Sequence, residues 1–119
     1  MRSRLASGPS YDCRMPSFRV TLTIGALRPG VQPEAVLPFA ADATATRAVV
    51  EASDLAVVRG AARIIVRFTA DDAGVAWRIG RDVVGDVRRV AEPLAWTVTM
   101  RDGGRWYPVH PPDVDDRTA

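Results

Sequence analysis

The chain has 119 residues with 16 Arg, no Lys, 11 Asp and 3 Glu, a net charge of +2. That length holds one domain, and the single cysteine, Cys13, excludes both an internal disulfide framework and a multi-cysteine metal site. A surplus of two charges is too small to imply nucleic acid or membrane as a partner, and no apolar run reaches transmembrane length. These features fit a soluble, cytoplasmic domain. Lys and Asn are both missing, as a GC-rich genome would produce, so the arginine excess is in part a coding bias.

Residues 1–14 carry Arg2, Arg4, Arg14 and Asp12, and residues 111–119 carry Asp113, Asp115, Asp116 and Arg117. Both stretches lack apolar periodicity and read as flexible tails around a domain at 15–110. Met15 immediately precedes the first strand pattern and is a candidate start of translation. In Ser17–Leu27, Phe18, Val20, Leu22, Ile24 and Ala26 alternate with Arg19, Thr21, Thr23 and Gly25, which predicts a half-buried strand. Arg28-Pro29-Gly30 is a turn. Pro33–Thr46 is Ala-rich with Pro33 at a favoured first helical position, but Pro38 inside it predicts a short or irregular helix.

Arg47–Val58 and Arg63–Thr69 are β-branched and alternating, and a hairpin centred on Gly60 joins them. Asp71 or Asp72 caps a helix predicted to run to Glu92. Its apolar positions include Ala76, Trp77, Gly80, Val83, Val84 and Val87 at three- and four-residue steps, and Pro93 is its stop. Gly80 and Gly85 weaken the helix, and close packing on a sheet is the structural reason to keep them. Leu94–Arg101 alternates again, with Leu94, Trp96 and Val98 on the core side. Asp102-Gly103-Gly104 turns into a short fifth strand at 105–109.

Strand, helix, strand, strand, helix, strand is the order of a ferredoxin-like two-layer α+β sandwich, here with a short fifth strand added. Its four-stranded antiparallel sheet carries two helices on one face and leaves the other open. Parity places Arg19, Arg63, Ile65, Arg67 and Arg101 on the open face. The Gly60-centred hairpin adds Glu51, Ser53, Leu55 and Val57 to it. Such a face is solvated, or covered by a second copy of the chain with Leu55, Val57 and Ile65 at the centre, or used as a binding surface. Arg59–Val66 starts like the signature of RNA-recognition sheets, but Ala61 and Arg63 stand where the base-stacking rings belong, so nucleic acid is not expected.

No cofactor or metal motif is present. His110, the single histidine, has no sequence neighbour to act with as a general base. Trp77, Trp96, Trp106 and His110 are the candidates for lining a pocket. The expectation is a small non-enzymatic binding or interaction domain that forms a homodimer. A small-molecule enzyme of the dimeric α+β barrel type, using Trp77, Trp96, Arg67 and His110, is the alternative, and an RNA-binding sheet is a third reading.

Overall fold

The computed structural model describes residues 15–112, so the expectations for 1–14 and 113–119 lie outside the described residues. Alternation makes the first strand. In β1 (Ser17–Leu27), Phe18, Val20, Leu22 and Ile24 are buried, while the residues between them face the other way and stay partly exposed. The chain continues through α1 (Pro33–Ala45), β2 (Val50–Val58), β3 (Ala61–Thr69), α2 (Ala73–Val87), β4 (Ala91–Asp102) and β5 (Arg105–Pro108). The sheet order is β2-β3-β1-β4-β5, and every adjacent pair is antiparallel. This is an α+β fold with a five-stranded antiparallel sheet and two helices. α1 packs over β2 and β3, α2 packs over β1 and β4, and the helices touch each other. No helix of the described residues is long and apolar enough to cross a membrane.

Four local features differ from the sequence expectation. Pro38 does not break α1, which runs unbroken for 13 residues. The ring is on the exposed side, while Val36, Ala40, Ala43 and Thr44 are buried against the sheet and α2. The loss is one hydrogen bond, the amide donor to the carbonyl of Glu34. Tertiary burial of the opposite face outweighs it.

The second difference is the β2–β3 hairpin. Its loop is the pair Arg59-Gly60, with φ of 54° and 81°. Positive φ at both loop positions is the type I′ geometry, whose twist matches that of the flanking strands. Val58 therefore opposes Ala61, Val57 opposes Ala62 and Leu55 opposes Ile64. A turn centred on Gly60 alone would shift this register by one residue, and a one-residue slip moves every side chain to the other face. Leu55 and Val57 thus belong to the helix-side face with Ile64, and Asp54 replaces them beside Ile65 on the open face.

The third difference is that α2 ends at Val87 and β4 begins at Ala91, so Glu92 and Pro93 are strand residues. Pro93 is tolerated because β5 pairs only with residues 99–102 of β4. The strand is therefore an edge at Pro93, where no outward amide is needed. Asp72 is the helix cap, its carboxylate accepting from the Val75 N–H at 2.9 Å.

The fourth is Leu94. The β1–β4 register slips between Thr23–Ala95 and Ile24–Pro93, which leaves Leu94 as the extra residue of a bulge. It leaves the core-facing row, is 60% exposed and lies over Gly25, where an added Cβ would come within 2.8 Å of its Cδ2. Trp96 and Val98 keep the expected core side. Val98 is buried, and Trp96 is half-buried against the Trp77 ring at 5.5 Å.

Gly80 faces this wall. A Cβ there would meet Val98 Cγ2 at 2.5 Å, with Val20 Cγ2 and the Trp96 ring at 3.5 Å. The missing side chain is what lets α2 approach the sheet. Gly85 has no such reason, since open space surrounds the position of its Cβ.

Candidate functional site

The open face is a charged lattice rather than an apolar patch. Arg19 on β1 stands directly opposite Arg67 on β3, and two guanidinium groups at that spacing repel. Each is drawn to its own partner. Arg67 donates through Nε to Glu51 Oε1 at 2.9 Å, and Ser17 Oγ donates to the same oxygen at 2.8 Å. Glu51 reaches this face because the β2 register slips between Val50 and Ala52, so the expected position of Glu51 holds for a different reason. Arg19 lays its guanidinium 3.9 Å from the centroid of the Trp106 ring, and Arg67 lies 5.5 Å from it. Trp106 arrives there because it opposes Arg101 in the β4–β5 ladder.

Thr21 and Thr97 face each other across β1 and β4, and Thr23 faces Arg63 across β1 and β3. Ile65 lies on the same face, half-buried among these polar groups. Leu55 and Val57, the expected apolar centre, are not on it. The ring of Trp106, an aromatic side chain on this face, is engaged by Arg19 and Arg67 rather than left free as a platform on which bases would stack.

Among the described residues, no cleft is lined by more than one of the pocket candidates. Trp77 and Trp96 pack on each other between α2 and β4, Trp106 lies on the open face, and His110 is exposed beyond β5. The set Trp77, Trp96, Arg67 and His110 is therefore not brought together, as a shared reaction centre would require. Among the described residues no three His, Cys, Asp or Glu side chains come together as a metal site would need.

A cleft that the sequence reading missed opens on the helix side. It has a volume of about 520 Å3 and lies between the first two turns of α1 and the ends of β1, β2 and β3 near the hairpin. Ile24 and Leu27 come from β1, Ile64 and Ala62 from β3, Leu55 from β2, and Val36, Leu37 and Pro38 from α1. Glu34 is the single ionisable residue of the lining. The cleft exists because α1 covers β2 only in part, leaving Leu55 51% and Val57 71% exposed. The signal that could have found it was the Arg-Gly pair read as a two-residue loop, which turns Leu55 toward Ile64.

The chain matches no protein-family model and no curated protein.

Proposed function

We propose that this chain is a non-catalytic binding domain that takes a small, uncharged apolar ligand in the cleft between α1 and the hairpin end of the sheet. The observation that carries this is the cleft itself. Its volume of about 520 Å3 falls in the range of small-ligand sites, roughly 300–1,000 Å3. Its lining is aliphatic apart from Glu34. An apolar guest gains about 25 cal/mol per Å2 of surface removed from water. A carboxylate guest would find no cation in the lining and would meet Glu34, so a neutral molecule fits best. With one ionisable side chain there is no acid–base pair for catalysis.

We read the α+β framework around the cleft as a ferredoxin-like sandwich lengthened by β5, a reading that the strand order supports. β1 and β3 form the central pair, and each helix links two strands that are not neighbours, as in that βαββαβ order. The lone cysteine, which can form no internal disulfide, supports our reading of a cytoplasmic setting.

The experiment is a titration of the 15N-labelled protein with 1-octanol, followed by amide shifts. Shifts confined to residues such as Ile24, Leu37 and Ile64, and lost in Ala62→Phe, are the expected result. Shifts spread evenly over the surface, or unchanged by filling the cleft at Ala62, would overturn the reading.

A further inference from the structure

We infer that β2 is a docking edge for a second copy of this chain, forming a continuous antiparallel sheet across a two-fold axis. β2 is the outer strand of the sheet, nine residues long, with no Pro or Lys in it. Both are among the devices that blunt edge strands; the protection β2 does carry is the bulge at Glu51 and the Asp54 carboxylate on the Leu55 N–H. The hairpin geometry fixes which of its backbone groups are free. In a two-residue loop the flanking pair, Val58 and Ala61, exchanges hydrogen bonds. Bonded and non-bonded pairs then alternate along the ladder. Val58, Ala56, Asp54 and Ala52 therefore bond to β3, while Val57, Leu55 and Ser53 turn their N–H and C=O groups outward. One contact tests this independently. The Leu55 N–H is bonded to the Asp54 side chain at 2.8 Å, so it does point away from β3.

The occupant is a second copy because the strand is complementary to itself in one register. With the two-fold axis at Leu55, the regular strand positions from Ala52 to Val58 are all opposed. Leu55 meets Leu55, Ser53 meets Val57, Asp54 meets Ala56, and Ala52 meets Val58 across the axis. Every outward-facing residue then finds an outward-facing partner. An axis at Asp54 also gives a long overlap, but it places the two carboxylates in a non-hydrogen-bonded pair, where side chains are closest. An axis at Ala56 shortens the overlap. The chosen register also sets the exposed apolar Leu55 against its copy, and Val57 opposite Ser53 and diagonal to Leu55, on the helix side. The Asp54 bond to the Leu55 N–H must open on pairing, so Asp54 restrains the association.

Sedimentation velocity over a concentration series, with circular dichroism as the check of fold, decides this. The wild type is expected to pass from monomer to dimer. Leu55→Pro removes an outward N–H without touching the β2–β3 ladder, and Val57→Lys puts a charge at the junction. Each should weaken association by about tenfold or more, while Asp54→Ala should tighten it. A wild type that stays monomeric throughout would overturn the inference. So would a folded Val57→Lys protein that dimerises like the wild type. Val57 does not line the cleft, so octanol binding by Val57→Lys tests the ligand site separately.

Discussion

Arg19 and Trp106 are 87 positions apart in the sequence, yet the guanidinium rests 3.9 Å from the ring centroid. The contact ties β1, at the middle of the sheet, to β5, at its edge, across β4. It also removes one of two facing arginines from repulsion, because Arg67 opposite is held by Glu51. Trp106→Ala should therefore loosen β5 and destabilise the domain. In a double-mutant cycle with Arg19→Ala, the coupling should be about 0.5–2 kcal/mol, the range for a cation–π pair between exposed and desolvated limits. Urea denaturation of the four proteins measures it. A coupling of zero would mean that the two side chains act independently.

The two glycines of α2 should respond in opposite directions. Gly80→Ala places a methyl against Val98 Cγ2, and the helix must lift or the core must shift, at about 1–3 kcal/mol. Gly85→Ala meets nothing and should gain about 1 kcal/mol from helix propensity and a less flexible unfolded chain. Thermal unfolding of both variants gives the comparison. Stabilisation by both substitutions would mean that α2 does not approach β4 this closely.

These contrasts show what the sequence could and could not convey. The alternation of β1 and β3 was legible because one face of each is covered along most of its length, leaving Phe18, Val20, Leu22, Ile64, Val66 and Phe68 buried. The role of Gly80 in close packing was legible as well, since a helix-weakening residue on an apolar face needs a reason. The ends of elements were not legible. Pro93 reads as a helix stop and Pro38 as a helix break, but each is allowed by where it falls, at an unpaired strand edge and on an exposed helix side. The cleft was hidden because it depends on the register of β2. That register rests on Arg59 taking a positive φ, which a non-glycine residue seldom does.

Asp72 holds the start of α2 through the Val75 N–H. Asp72→Ala should cost about 1 kcal/mol, as for other lost helix caps, while Asp71→Ala, one residue outside the cap, should cost much less. Chemical denaturation separates the two. Equal losses would place the cap one residue earlier and lengthen α2.

Arg59 provides the strictest test of the hairpin. Its φ of 54° is unfavourable for most side chains by roughly 1–2 kcal/mol, and Asn at the first position of a type I′ Xaa-Gly turn suits that conformation well. Arg59→Asn should therefore stabilise the domain by several tenths of a kcal/mol to about 1 kcal/mol, with no change of register. Wild type and variant should both show close Hα–Hα contacts between Leu55 and Ile64 and between Val57 and Ala62. These are the non-hydrogen-bonded pairs of the ladder, where Cα atoms are about 4.5 Å apart. Contacts from Leu55 to Ile65 instead would restore the Gly60-centred turn and put Leu55 and Val57 on the open face. They would also remove Leu55 from the cleft and exchange the outward-facing residues of β2 for their neighbours. The position of two side chains relative to the sheet thus decides both the ligand site and the edge at once, and one nuclear Overhauser spectrum reads it.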